Sequence, residues 1–202
     1  AKVVVIDSYK SRTAKQADWH IAQKPGTDGA LAVSIINHII YKDLVDKDYV
    51  KNHTNGFDEL KEHVKDKTAS WASEITGISV DDIEKLSTEI AMNQPVGIRI
   101  GVALERHHGG GQTIRAVTCI PALTGSWKYV GGGITQFPVW EHPYKFDVIC
   151  RPDLIPKGTR VVNALQLGRV LLSENIDKKK PIKSMMCWNA NPVTQATETE
   201  KI

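Results

Sequence analysis

The run Val3-Val4-Val5-Ile6, cut off at Asp7, is short, continuous and rich in β-branched residues. Such a run suits a strand of a parallel sheet covered on both faces, where neither side of the strand tolerates a polar residue. Further along, the turn signal Lys24-Pro25-Gly26-Thr27-Asp28-Gly29 precedes Ala32, Ile35, Ile36, Ile39 and Ile40, which recur at helical spacing and form one apolar face. The pattern then repeats. Residues 96–102 form a second buried-strand candidate interrupted by two glycines, and Gly109-Gly110-Gly111 opens a helix through Ile114 and Val117. That helix stops near Gly125, with Pro121 limiting or bending it. Strands alternating with helices predict an α/β fold, an open sheet covered by helices.

Between these units, residues 43–76 read as short helices and turns closed by Gly77. Ser79-Val80-Asp81-Asp82 resembles a capping box with Asp in place of Glu, opening a helix whose face is Ile83, Leu86, Ser87 and Ile90. Asn93-Gln94-Pro95 ends it. From 126 to 158 the periodicity fails: the stretch holds Gly131-Gly132-Gly133, several aromatics and four prolines. A loop of that length is functional or packs on something outside the chain. A helix over 163–172 follows, then a strand over Ser184–Trp188 that leads into Asn189-Ala190-Asn191-Pro192. Lys178-Lys179-Lys180 reads as a solvated turn before Pro181.

Composition narrows the function classes. Twenty-six Lys and Arg against 23 Asp and Glu leave a net charge of +3, too mild to argue for nucleic acid. No stretch approaches the roughly 20 apolar residues of a membrane span, and the first residues lack the layout of a signal peptide. Cys119, Cys150 and Cys187 are widely spaced with no Cys-x-x-Cys pair, so a cluster or zinc ribbon held within this chain is not expected. Buried or inert thiols in a reducing compartment, by default the cytoplasm, fit best.

In open α/β sheets, ligands bind at the carboxyl ends of strands. Three such ends carry polar or glycine-rich sequence: Asp7-Ser8-Tyr9, residues 100–110, and Asn189 to Pro192. Asp7 either terminates a strand or accepts from a ribose hydroxyl. Thr27 and Asp28 either cap a helix or recognise a purine, since a carboxylate can accept from both N1–H and the 2-amino group of guanine. The glycines of 101–110 follow neither the G-x-G-x-x-G nor the P-loop order, yet they let backbone approach a phosphate beside a helix N-terminus. His107-His108 lacks a spaced partner for metal binding, and no nucleophile arrangement stands out.

Several segments together resemble the molybdopterin oxidoreductase family, which includes dimethyl sulfoxide reductase, formate dehydrogenase and nitrate reductases. Val3-Val4-Val5-Ile6-Asp7 resembles its V-V-x-I-D-P-R. Thr13-Ala14 with Ala17-Asp18 resembles T-A-x-x-A-D, and Pro25 to Leu31 resembles P-G-T-D-x-A-L. The stretch 46–57, the run 101–110 against G-x-G-x-Q-R, Leu123-Thr124-Gly125-Ser126 against L-T-G-N, Gly131 to Gly133, and Asn189 to Pro192 follow in order. The resemblance implies Rossmann-like α/β domains around bis(molybdopterin guanine dinucleotide) carrying molybdenum or tungsten. Residues 1–93 would end one cofactor-binding domain and 94–202 would form part of a second.

By the same resemblance, Asp7, Ser8 and Tyr9 lie beside one guanosine whose guanine Gly26, Thr27 and Asp28 hold. Ile100, Leu104, Glu105 and Arg106 line the pterin or pyrophosphate region, and Asn189 and Asn191 approach the other guanosine. Three positions depart from the pattern: Ser8-Tyr9 replaces Pro-Arg, Glu105 replaces Gln, and Ser126 replaces Asn. Glu105 beside a polyanion requires neutralisation by Arg106. The family's cysteine-rich segment with its 4Fe–4S cluster, its metal-ligating residue and its C-terminal β-rich domain have no counterpart here, so the chain reads as an internal piece of a larger enzyme. The function implied is cofactor holding for two-electron or oxygen-atom transfer, with a small-molecule substrate and an electron-transfer partner engaged elsewhere, and the piece alone inactive. The alternative is a free-standing α/β nucleotide-binding module without redox activity.

Overall fold

The computed structural model describes residues 1–136, 144–172, 181–196 and 198–202, in two compact units, Ala1–Pro143 and Tyr144–Ile202. The lysine-rich turn expected at 178–180 lies outside the described residues.

In the first unit the elements run β1 (Val4–Ile6), α1 (Arg12–Gln16), β2 (Trp19–Ile21), α2 (Asp28–Tyr41), α3 (Lys47–His53), α4 (Phe57–Val64), α5 (Ala69–Thr76), α6 (Val80–Met92), β3 (Gly97–Arg99), α7 (Gly110–Leu123) and β4 (Gly133–Thr135). Two sheets of two strands each form, both parallel: β1 with β2, and β3 with β4. The fold is therefore α/β with helices covering short parallel sheets, as the alternation of strand and helix predicts. The strand anticipated at 3–6 contains β1, which omits Val3, and the helix faces anticipated at 32–40, 83–90 and 114–117 fall within α2, α6 and α7.

Helix α2 is the pillar of this unit. Ile36 and Ile39 are fully buried, and α2 packs against α5, α6 and α7 around Val64, Ala72, Ile83, Leu86, Ile120 and Leu123. Burying each of the larger of these, the Val, Leu and Ile side chains, stabilises by about 1.5–3 kcal/mol. Ser34, Asn37 and His38 are buried polar residues of α2, and the Asn37 amide donates to the Val64 carbonyl (2.7 Å) at the end of α4. Local chemistry sets the helix starts. Ser79 Oγ accepts from the Asp82 amide (3.1 Å), with Asp82 in the fourth position of the box. Asp46 accepts from the Tyr49 amide (2.9 Å) at the start of α3. Lys128 also donates to the Asp46 carboxylate, and that bond, with the Tyr49 amide, holds the carboxyl below its usual range.

Several expectations need correction. α7 packs directly on α2, and the compact units divide at 143/144. β1 and β3 are not buried on both faces: Ile6 is 40% exposed, and β3 alternates exposed and half-buried positions. Among the described residues each strand has only one neighbour, so its other edge has no partner strand there. The stretch from 126 is not structureless at its start. It begins with a 3-10 turn, Ser126–Lys128, and contains β4. Ser126 is buried, shares a hydrogen bond with Thr124 Oγ1 (2.9 Å) and donates to Gln94 Oε1, so it closes a polar network under this turn.

The second unit holds α8 (Phe146–Cys150), α9 (Leu167–Leu171) and α10 (Pro192–Gln195). The strand expected over Ser184–Trp188 is absent; those residues are exposed and have no partner strand among the described residues. Arg169 grips Glu198 through two bonds of 2.6 Å, which hold the Glu198 carboxyl down at about 2. Cys150 and Cys187 are exposed rather than buried; Cys119 alone is half-buried, and burial raises its thiol pKa. No described helix is long and apolar enough to cross a membrane.

Candidate functional site

The carboxyl ends of β1 and β3 open on one cleft of about 670 Å³, floored by Leu31 and Ile35 of α2 and rimmed by Asp28 and Leu104. The 24–29 turn that starts α2 meets the segment from β3 to α7 here, and the turn after β1 follows that strand's carboxyl end.

Asp7 closes β1. Its amide donates to the Ile21 carbonyl (3.1 Å), and its Oδ1 accepts from the Tyr9 amide (3.2 Å), folding residues 7–9 into an exposed turn. Ser8 and Tyr9 lie on that turn with their side chains in solvent. The 24–29 turn behaves differently from a simple cap. Thr27 sits at the N-cap of α2, but its hydroxyl donates back to the Lys24 carbonyl (2.6 Å) and caps no helix amide. Asp28, in the first helical turn, is half-buried, and its Oδ1 accepts from Gln23 Nε2 (2.5 Å). Gln23 is itself buried, and its Oε1 has no partner among the described residues. A buried acceptor left unmet is costly. Gln23 is therefore placed where it fixes Asp28 rather than where it satisfies itself.

Gly26 has φ of +78°, and a Cβ there would stand 3.1 Å from His107 Nδ1. Glycine thus lets the segment after β3 close against the 24–29 turn. Ile100 is buried, and its amide donates to the Thr135 carbonyl (2.9 Å), so it ends the β3–β4 ladder and lines the cleft. Leu104, Glu105 and Arg106 form a 3-10 turn. Leu104 faces the cleft, whereas Glu105 accepts from Gln136 Nε2 (2.7 Å), and no ion pair joins it to Arg106 among the described residues. The neutralisation expected of Arg106 is thus replaced by an amide partner. A Cβ on Gly110 would lie 2.3 Å from the Leu104 carbonyl, so only glycine lets α7 start against this turn. Around Gly101, Gly109 and Gly111 a Cβ would meet nothing within 4 Å. Backbone there is approachable beside the N-terminus of α7, where an anion is favoured.

Of the predicted residues in the first unit, Asp28, Ile100 and Leu104 line the cleft, and Gly26 meets the segment after β3 at His107, whereas Asp7, Ser8, Tyr9, Glu105 and Arg106 do not line it. Asn189 and Asn191 are in the second unit. Asn189 adopts φ of +51° and Asn191 precedes α10, so they lie on a turn and not at a strand end. Sequence reasoning missed Gln23, Gly110 as a packing glycine, and Gln136. Gln136 acts through Glu105, 31 residues away, and Gln23 and Gly110 act through side-chain and backbone contacts across a turn that no sequence pattern announces. His107 was noticed, but as a metal candidate rather than as the residue that packs on Gly26.

The family described as "Molybdopterin oxidoreductase" matches residues 1–202. A probable oxidoreductase of Bacillus subtilis, YoaE, is 41% identical over the whole of this chain and 29% of its own length. YnfF of Escherichia coli, a probable dimethyl sulfoxide reductase chain, is 32% identical over 95% of this chain and 27% of its length. The solved structure of acetylene hydratase from Pelobacter acetylenicus superposes with a TM-score of 0.61 at 34% identity, over 65% of this chain and 18% of that one. The chain spans less than a third of these relatives.

Proposed function

The chain belongs to the molybdopterin oxidoreductase family, and on that premise we propose that the strand-end loops of its first unit hold a guanosine arm of a molybdopterin guanine dinucleotide. The family implies a molybdenum or tungsten pterin cofactor; its dinucleotide form is part of the proposal. The residues present fit such an arm. Guanine offers two adjacent donors, and Asp28 offers a carboxylate whose orientation Gln23 fixes at the rim of the cleft. Asp7 would meet a ribose hydroxyl, as the resemblance implies, and the open backbone at Gly109 and Gly111 suits a pyrophosphate. Asn189 and Asn191 would take the second guanosine, as the family resemblance implies.

When bound, the cofactor supplies two-electron or oxygen-atom transfer at its metal. This chain's own residues bind and orient it. Asp28 selects the base, the 24–29 turn and the segment after β3 fix the ribose and phosphates between them, and Leu104 with Ile100 keeps the inner wall apolar. The relatives' names cover a reductase chain and a hydratase, and a cofactor-holding role is compatible with both. Substrate and electron partner would engage parts of a longer enzyme outside these residues, as would any 4Fe–4S cluster.

The fixed Asp28 carboxylate carries this reading. Isothermal titration of the chain with GDP is expected to give saturable binding where ADP gives none. Asp28→Asn removes a charge-assisted pair worth about 1.5–3 kcal/mol, so GDP affinity should fall at least roughly tenfold. Equal binding of GDP and ADP would favour the generic nucleotide module instead. No GDP binding by the folded chain refutes the proposal.

A further inference from the structure

Each of the two small sheets leaves one edge of β1 and of β3 without a partner strand among the described residues. In a parallel ladder, alternate residues of a strand direct both backbone groups to one neighbour, and the residues between them direct theirs to the other side. In β1 the Val3 carbonyl accepts from Trp19, and the Asp7 amide donates to Ile21, so odd-numbered residues serve β2. In β3 the Val96 carbonyl accepts from Gly133, and the Ile100 amide donates to Thr135, so even-numbered residues serve β4. The backbone groups of Val4, Ile6, Gly97 and Arg99 therefore face away from their partners, with no bond among the described residues. All four residues line the same cleft. Lys2 and Pro95, before the two strands, also line it, as do Leu104 and Asp28 beyond their far ends, so β1 and β3 run in the same direction along it.

We propose that this cleft is the seat of one further parallel strand, hydrogen-bonded to β1 on one side and β3 on the other, giving a five-stranded sheet with β1 and β3 inside. The occupant is an extended, apolar, β-branched segment of the same protein, from outside residues 1–202. Its chemistry follows from the cleft. The floor is Leu31, Ile35, Leu86, Ile90 and Val117, which demands apolar side chains, and two unpaired edges demand an extended backbone with free N–H and C=O groups on both sides. Its source follows from length. Relatives such as YoaE are more than three times as long as this stretch, so a protein of that size has chain to supply the strand. Parallel strands covered by helices are normally buried, and the inserted strand removes the half-exposure of β1 and β3. Open edges of this kind otherwise recruit other chains.

The test places a second copy of residues 2–8, as an apolar strand of suitable chemistry, ahead of Ala1 through a Gly/Ser linker longer than the dozen residues a parallel crossover needs. Tethering keeps the strand at roughly millimolar effective concentration. Amide hydrogen exchange by NMR is expected to slow at least about tenfold at Val4, Ile6, Gly97 and Arg99, while Val5 and Ile98, already paired, change little. A tether with proline at alternate strand positions should give no slowing. Unchanged exchange at the four amides, with α2 still protected, overturns the proposal. So does slow exchange in the untethered chain, which would mean that β1 and β3 pair with each other. Slowing that depends on protein concentration overturns it in favour of a second copy. The readout involves no nucleotide, so it stands or falls separately from guanosine binding.

Discussion

Gln23→Met isolates positioning from stability at the site. The substitution keeps side-chain length and burial but removes both polar atoms. Two effects oppose each other. The bond from Nε2 to Asp28 Oδ1, 2.5 Å long and made to a carboxylate, is lost at about 1.5–3 kcal/mol. The unmet Oε1 acceptor is lost too, which relieves about 1–3 kcal/mol of desolvation. Their difference leaves unfolding stability within about 2 kcal/mol of the parent in urea denaturation. Binding has no such compensation. A released Asp28 must be immobilised anew, at about 0.5–1.5 kcal/mol for an ordered side chain, so GDP affinity should fall roughly two- to tenfold. The loss should be smaller than for Asp28→Asn, and the double variant should bind no worse than Asp28→Asn alone. Titration calorimetry alongside denaturation reads both quantities. If Gln23→Met binds GDP as the parent does, Gln23 does not orient Asp28, and the reading of its buried orphan acceptor is wrong.

Two further outcomes test the scaffold. Ile36→Ala, at a fully buried position of α2, should cost about 2–5 kcal/mol in urea unfolding because α5, α6 and α7 cannot all collapse into the void; a cost below 1 kcal/mol would show that α2 is not the pillar described. His38, buried on α2 with Nε2 3.0 Å from Thr88 Oγ1, has its pKa lowered chiefly by burial, against the opposing pull of Glu84. The unfolded chain then binds this proton more readily. Stability should therefore be intact above about pH 6.5 and decline as pH falls through that value toward the lower folded one, with the slope absent in His38→Gln.

What the sequence disclosed was whatever short-range chemistry decides. The apolar spacing of Ile35, Ile36, Ile39 and Ile40 writes α2 directly, and Ser79 with Asp82 writes the start of α6. β2 and β4 were illegible for a physical reason. Trp19-His20-Ile21 and Gly133-Ile134-Thr135 have no strand pattern of their own and become strands by pairing with β1 and β3. The reverse error at Ser184–Trp188 has the same origin: an apolar run with no partner stays irregular. The site divides along the same line. The turn around Gly26 and Asp28 could be read from a turn signal, but of the two readings of Thr27 the helix cap fails because its hydroxyl donates to the Lys24 carbonyl. Gln23 escaped notice because its role exists only once Asp28 is placed beside it.

The open edges and the candidate site share one cause. In the five-stranded sheet proposed above, β1 leads outward to β2 and β3 leads outward to β4 on the other side, so the point where that sheet changes direction would lie between β1 and β3. In open α/β sheets that switch point is where the carboxyl-end crevice forms. Here the crevice has Asp28 and Leu104 on its rim and two unpaired strand edges below. A strand seated there would fix the separation of the turn after β1 from the segment after β3, both of which a guanosine arm must touch. Strand and nucleotide should therefore favour the same arrangement, and coupling of that kind is typically worth about 1–3 kcal/mol, or roughly 5- to 150-fold. The tethered strand should tighten GDP binding at least about fivefold. By reciprocity, GDP should slow exchange further at Val4, Ile6, Gly97 and Arg99. Protection of those amides without any gain in GDP affinity would separate the two, leaving a sheet completed by its strand and a nucleotide site that does not depend on it.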